Sequence, residues 1–123
     1  MADGSAELCP RFHRAVELIG RRWTGAILRV LMHGAQRFNG LMGHIPGISD
    51  RLLSERLREL EAAGLVKRTV CQGPPVSVIY ELTPQGSDLE PALSMLGKWA
   101  ERWMPAAEPP GVTALPQLKT HLP

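Results

Sequence analysis

A helix with clear start and stop signals, placed within the segment from Ile48 to Thr83, most constrains how this chain can fold. Ser49 is a favoured N-cap residue, and Asp50 in the first turn complements the helix dipole. Gly64 supplies the left-handed conformation that ends many helices. These signals predict a helix over residues 49–63.

A hairpin is predicted immediately after this helix. Residues 65–71 and 76–82 are rich in β-branched side chains, and the intervening Gln-Gly-Pro-Pro sequence is typical of a turn. A helix followed by an exposed hairpin is the layout of a winged helix, so the second element is predicted to be a two-stranded wing.

The predicted helix has two different sides at roughly 100° per residue. Its apolar side carries Leu52, Leu53, Leu57 and Leu60. Its polar side carries Arg51, Ser54, Glu55 and Arg58. A helix that enters the major groove of DNA needs such a side, because no leucine may separate its guanidinium and hydroxyl groups from base edges. A solvated surface helix has the same pattern, and the hairpin that follows favours the first interpretation.

Three shorter helices are predicted before the capped helix. Apolar residues at three- and four-residue spacing indicate helices over 11–19, from Trp23 to a stop at Gly34, and over 37–44. The Pro46-Gly47 pair turns the chain between the last of these and the capped helix. A short helix, a tight turn and a helix with a polar outer side predict a helix-turn-helix.

A final helix is predicted to start at Thr83-Pro84, and its apolar stripe is broader than one small core can cover. With the first helix it supplies the predicted dimer seam, which consists of Phe12, Val16, Leu93, Met95, Leu96, Trp99 and Trp103. The alternative is that the two tryptophans only cover the core of their own chain. The predicted fold class is mainly α (α+β): a winged helix-turn-helix with a two-stranded β-wing and an additional C-terminal dimerisation helix.

Length and composition predict one small domain. The chain has 123 residues, 44% hydrophobic and 21% charged, which indicates a single globular domain over 1–104. Residues 105–123 are rich in proline without a period and predict a flexible tail. No apolar run is long enough to span a membrane and no signal peptide is evident, so we expect a soluble, cytoplasmic protein. The net charge is only +2, but arginines are concentrated in the first part of the chain.

Several spaced motifs resemble a known family. They are Cys9-Pro10, Gly20-Arg21-Arg22-Trp23-Thr24, Arg37-Phe38, Gly47-Ile48-Ser49, the segment from Leu53 to Leu60, Gly64-Leu65-Val66, and Tyr80 to Thr83 with Gly86. From Cys9 to about Trp103 the chain resembles the HxlR-type family of bacterial winged-helix transcriptional regulators, within the MarR-like superfamily. The resemblance implies a homodimeric regulator, a repressor, that binds a pseudo-palindromic operator in double-stranded DNA. It places helix 49–63 in the major groove and the wing 65–82 beside it.

The chain departs from the family pattern at three positions, two of which lie in the predicted wing. Ser77 stands where a basic residue is common, and Gly40 and Ile79 stand where glutamate is common. The wing tip is thus less basic than the resemblance implies, and phosphate binding is expected to rest more on the arginines. The predicted DNA-binding residues are Arg22, Arg37, Ser49, Arg51, Ser54, Glu55, Arg58, Lys67, Arg68 and Ser77.

Cys9 is the candidate for redox chemistry. In several branches of the family that the chain resembles, a cysteine at this place senses oxidants or electrophiles, and Arg11 and His13 beside Cys9 would favour the reactive thiolate. The alternative is a small buried apolar residue that fixes the N-terminal arm to the dimer seam. Cys71 is predicted to be ordinary strand packing.

No enzyme, cofactor or metal site is predicted, because the histidines lack ligand spacing and no glycine-rich phosphate loop occurs. Two alternative functions remain. The dimer seam would hold a small apolar or aromatic effector between subunits. Alternatively, the winged helix would dock to another protein instead of to DNA.

Overall fold

The computed structural model describes residues 9–106 of the chain. Its elements in chain order are α1 (Pro10–Ile19), α2 (Thr24–Leu31), β1 (Gln36–Arg37), α3 (Phe38–His44), α4 (Asp50–Ala62), β2 (Val66–Cys71), β3 (Ser77–Leu82), α5 (Pro84–Ser87) and α6 (Glu90–Trp103). The predicted fold class, a mainly helical winged helix-turn-helix, is confirmed. The predicted tail lies outside the described residues from position 107 onward.

The caps of α4 form as predicted. The Ser49 hydroxyl accepts a hydrogen bond of 3.1 Å from the backbone N–H of Leu52, which satisfies one of the unpaired donors of the first turn. Gly64 adopts φ +83°, the left-handed region in which a side chain is strained. Local chemistry therefore fixes both ends of α4.

The sheet contains one strand more than the sequence predicts. The wing strands β2 and β3 pair antiparallel, with Val66 opposite Leu82 and Cys71 opposite Ser77. The two-residue strand β1 pairs with β3 on its other edge, so the strand order is β1-β3-β2. A strand of two residues is too short to show the alternating pattern of a β-strand in the sequence. Arg37, which the sequence assigns to a helix over 37–44, is instead the last residue of β1 and precedes α3.

The predicted C-terminal helix is divided into two. Thr83 caps the short α5 by accepting a 3.0 Å hydrogen bond from Gly86 N–H, and α6 begins only at Glu90. Pro91 lies in the first turn of α6 and has no N–H to donate to the carbonyl of Ser87. A single helix is therefore broken at this position, and proline starts the second segment.

Most of the core lies between α2, α3 and the inner side of α4. Its most deeply buried apolar side chains are Ile27, Leu28, Leu41, Ile45, Leu53, Leu57 and Leu60. Trp23 packs into the same core, but it is not the first residue of α2 as the sequence predicts. It precedes the helix with φ +80°.

The base of the wing is fastened to the end of α4. The Thr83 hydroxyl donates to Gly64 O at 2.6 Å, and Thr83 N–H donates to Leu65 O at 3.0 Å. A Cβ at position 86 would collide with the carbonyl oxygen of Leu65, so Gly86 permits this close approach. These contacts fix the wing relative to α4. Within residues 9–106, no helix has the length and apolar content needed to cross a membrane.

Candidate nucleic-acid interface

The outer side of α4 projects away from the core. Leu53, Leu57 and Leu60 are fully buried beneath it, while Arg51 and Arg58 are exposed. The Arg51 side chain is 89% exposed. Ser54 and Glu55, which the sequence also assigns to this side, are half-buried. The predicted polar side of α4 is thus free to contact a ligand, with its two arginines the most accessible groups.

Arg51 and Glu55 form an ion pair one helical turn apart. Arg51 Nε lies 3.4 Å from Glu55 Oε2. An exposed pair of this spacing contributes only about 0.3–0.5 kcal/mol to helix stability. Its larger effect is geometric, because it restricts where the Arg51 guanidinium points from the helix.

Arg22 and Arg37 lie at the starts of two other helices. Arg22 is exposed in the turn before α2, and its guanidinium lies over the Trp23 ring at 5.0 Å from the centroid. Arg37 is exposed at the N-cap position of α3. The free N–H groups and dipole of a helix start favour anions, so a cation at this place adds to phosphate binding.

The turn that carries Arg22 is strained. Trp23 has φ +80°, which is an uncommon conformation for any residue other than glycine and an outlier for a bulky one. Such a conformation costs on the order of 1–3 kcal/mol and persists only where the surroundings enforce it. The indole is buried, with its Nε1 buried and without a hydrogen-bond partner.

Arg56 of α4 is a functional candidate that the sequence analysis missed. It is only 7% exposed and turns inward, where its Nε donates to the backbone carbonyl of Arg22 at 2.9 Å. Its Nη1 donates to Glu59 Oε2 at 3.2 Å. The signal was present, because Arg56 is three residues after Leu53 and four before Leu60, on the buried side of the helix.

The two cationic residues of the wing lie on β2. Lys67 and Arg68 are exposed, opposite Glu81 and Tyr80 respectively. Ser77 is half-buried at the start of β3, opposite Cys71. The tip from Gln72 to Val76 carries no charged side chain. The cationic part of the wing is consequently near its middle and base.

A large apolar surface lies on α1 and α6. No residue of α1 is buried, and Phe12 is 64% exposed. Trp99 and Trp103 on α6 are 55% and 66% exposed, so they do not merely cover the core of their own chain. Val16, Met95 and Leu96 are exposed as well. We call the exposed set of Phe12, Val16, Met95, Leu96, Trp99 and Trp103 the apolar seam.

Leu93 does not belong to this surface, contrary to the sequence prediction. It is 7% exposed and packs into the core with the residues of α2 and α4. The helical period identifies the apolar side of α6 but not the depth of each position on it, and Leu93 lies on the part that faces the core.

Cys9 is exposed and immediately precedes α1, whereas Cys71 is half-buried on β2. The Nε2 of His13 pairs with Glu17 Oε2 at 3.3 Å one turn further along α1. Among residues 9–106, no three histidine, cysteine or acidic residues are grouped so that they could hold a metal ion.

The structure combines a helix-turn-helix, whose second helix has an exposed polar side, with an adjoining β-hairpin and with arginines at the starts of neighbouring helices. This combination defines a winged-helix DNA-binding regulator. The sequence profile of the HxlR-like helix-turn-helix family matches residues 18–108. The chain belongs to this family, whose members it resembles in both sequence and structure.

Relatives from Bacillus subtilis show the extent of the similarity. The HTH-type transcriptional regulator YvaP is 44% identical over 99 residues, which are 80% of this chain and 92% of YvaP. The reduced form of the transcriptional regulator YodB has a TM-score of 0.73 at 42% identity, covering 78% of this chain and 94% of that structure. The quinone-bound form of YodB has a TM-score of 0.69 at 39% identity, covering 77% of this chain and all of that structure. The family and these relatives are transcriptional regulators rather than enzymes.

Proposed function

We propose that the chain represses transcription as a homodimer bound to a pseudo-palindromic operator, with α4 in the major groove and the wing beside it. The observation that carries this proposal is the outer side of α4, where Arg51 and Arg58 are exposed while Leu53, Leu57 and Leu60 are buried on the inner side. Arg22 and Arg37 lie at the starts of α2 and α3, where helix dipoles favour phosphate.

The proposed contacts divide between bases and backbone. Arg51, held by Glu55, presents a guanidinium fork suited to the O6 and N7 acceptors of guanine, with Ser54 beside it. Glu55 would accept from the amino group of cytosine. The backbone contacts are assigned to Arg22, Arg37, Ser49, Arg58, Lys67, Arg68 and Ser77.

Salt dependence tests the DNA-binding part of the proposal. The protein and fluorescently labelled DNA from its own upstream intergenic region are titrated at several KCl concentrations. Each lost phosphate contact lowers the slope of log K against log salt by about 0.9, so Arg58→Ala should lower it by about 1.8 in a dimer. Arg14→Ala is the matched control, since Arg14 is an exposed cation on α1 opposite Phe12 and Val16, and we expect an unchanged slope.

Two results would count against the proposal. If Arg58→Ala leaves the slope unchanged as Arg14→Ala does, Arg58 is not a phosphate contact. If the wild-type protein does not bind this DNA at low salt, the winged helix serves a different purpose, such as docking to another protein.

We further propose that modification of Cys9 by an oxidant or electrophile releases the operator. Cys9 is exposed, and the related regulator YodB has been solved in quinone-bound and diamide-treated forms. A thiolate at Cys9 would add through sulfur to a quinone ring, or be oxidised by a peroxide to a sulfenic acid. Either change alters the residue that leads into α1, which carries part of the apolar seam.

A cysteine exchange tests this release. DNA binding by the wild-type protein should fall after treatment with a quinone, whereas Cys9→Ser should keep binding and Cys71→Ser should behave as wild type. Release that persists in Cys9→Ser would reject the role of Cys9. It would favour the second candidate, in which the aromatic side chains of the apolar seam bind an effector without a covalent bond, as the exposure of Trp99 and Trp103 permits.

A further inference from the structure

We propose that Arg56 is a positioning residue for DNA binding, which holds the Arg21–Trp23 turn so that Arg22 is presented to a DNA phosphate. The inference rests on the proposed function and deepens it, because it explains how a backbone contact outside α4 is kept in register with the base contacts on α4.

The buried guanidinium of Arg56 contacts both a backbone carbonyl and a carboxylate. Arg56 Nε donates to the carbonyl of Arg22 at 2.9 Å, and its Nη1 donates to Glu59 Oε2 at 3.2 Å. The other carboxylate oxygen of Glu59, Oε1, lies 3.2 Å from Arg21 Nε. The two side chains form an ion pair but no hydrogen bond. The turn is thus held through both its backbone and a side chain by two residues of α4.

The turn from Arg21 to Trp23 needs such support. Trp23 adopts φ +80°, a conformation from which a free chain with a bulky side chain would relax. The Arg22 carbonyl directly precedes this residue, so the bond from Arg56 acts on the peptide that the unusual conformation orients. Burial of the indole in the core fixes the other side of the turn.

Arginine suits this position better than an apolar residue or a lysine. A buried guanidinium is costly to remove from water, and an apolar side chain of the same size would fill the position without that cost. The planar fork of arginine can donate from separate nitrogens to a carbonyl and a carboxylate in fixed directions. A lysine carries the same charge but is a single point donor, so it cannot reproduce both contacts.

The consequence is that Arg56 and Arg22 should act as one unit. Arg56 lies on the inner side of α4 and cannot touch DNA, whereas Arg22 is exposed. If the Arg56 guanidinium were lost, Arg22 would still be present but would no longer be held beside a phosphate. The loss would therefore appear in the salt dependence of DNA binding without any change in net charge.

Arg56→Lys tests this inference, because the net charge is preserved. We expect Arg22→Ala to lower the salt slope by about 1.8 per dimer, which is roughly a tenfold difference in affinity between 50 and 200 mM salt. Arg56→Lys should lower the slope by a similar amount, and the double variant should show little further loss. Arg58→Lys is the control, since an exposed lysine still binds phosphate and the slope should stay near that of the wild type.

Three outcomes separate the inference from the proposed function. An unchanged slope in Arg56→Lys, or equal and additive losses in the double variant, would overturn the inference and leave DNA binding intact. The absence of salt-dependent binding in the wild type would instead reject the proposed function. If circular dichroism shows that Arg56→Lys does not fold, Glu59→Ala replaces it. This variant removes both the acceptor of Arg56 Nη1 and the partner of Arg21, so it should lower the slope only when Arg22 is present. A slope equal to that of the wild type in Glu59→Ala would again overturn the inference.

Discussion

Replacing Trp99 by alanine should separate the proposed dimer into monomers. Trp99 is 55% exposed in the single chain, and a tryptophan has roughly 250 Å² of surface. A partner subunit would therefore bury roughly 140 Å² of this side chain. At about 25 cal/mol per Å² this surface corresponds to roughly 3.5 kcal/mol, and a two-fold dimer contains it twice. Because alanine still covers part of the seam, we expect a loss of at least about 4 kcal/mol, or a thousandfold weaker dimer.

Sedimentation equilibrium over a range of protein concentrations measures this dissociation constant directly. Val76→Ala is the matched control, because Val76 is a large exposed apolar residue in the turn of the wing, away from α1 and α6. It should leave the dimer unchanged. Thermal unfolding should show that the Trp99→Ala monomer keeps its fold, since Trp99 contributes little to the buried core.

A dimer dissociation constant of Trp99→Ala within about tenfold of the wild-type value would contradict this prediction. Such a result would place the subunit interface on another surface, and the apolar seam would then have to be covered by something other than a second copy of the chain. If the seam is the interface, affinity for a full operator should fall together with dimerisation, while binding to a half-site should change little.

Three further predictions concern the stability of the folded chain, measured by urea unfolding. Ser49→Ala removes the cap on Leu52 N–H and should lower the free energy of unfolding by about 1 kcal/mol, and a value unchanged from wild type would show that the cap contributes nothing. Leu57→Ala empties a fully buried position and should cost about 2–5 kcal/mol, and a loss below about 1 kcal/mol would contradict its place in the core. Gly64→Ala at φ +83° should destabilise by about 1 kcal/mol or more, whereas Gly43→Ala, at a helical position with open space, should not destabilise.

The elements that could be predicted from the sequence are those whose signals are local. The cap at Ser49 and the left-handed stop at Gly64 are each set by the chemistry of one or two residues, and both are confirmed. The hairpin after α4 is predicted for the same reason, since β-branched runs and turn residues adjoin in the chain.

Features that depend on distant contacts escaped the sequence analysis. Strand β1 exists because Gln36 and Arg37 pair with Tyr80 and Ile79, more than forty residues away. The spacing of Arg56 from Leu53 and Leu60 places it on the buried side of α4, but its hydrogen-bond partner is a carbonyl thirty-four residues before it, which the sequence does not reveal. Pro91 was a local signal for the division of the last helix, but the apolar stripe across it favoured one continuous helix.

The position of Cys9 connects the proposed sensor with the proposed dimer. No residue of α1 is fully buried in its own chain, although Leu18 and Ile19 at its end pack against the core, so the rest of its packing must come from a partner if the seam is an interface. A specific interface needs on the order of 1,000 Å² or more, which Trp99 and Trp103 alone cannot supply, and Phe12 and Val16 of α1 are therefore required as well. Cys9 is the residue that leads into α1, and its backbone carbonyl accepts the first hydrogen bond of that helix, from His13 N–H at 2.9 Å. A bulky adduct there would act on a helix that has no fully buried residue in its own subunit, so a small chemical change would alter the spacing of the two α4 helices in the dimer without unfolding either winged helix.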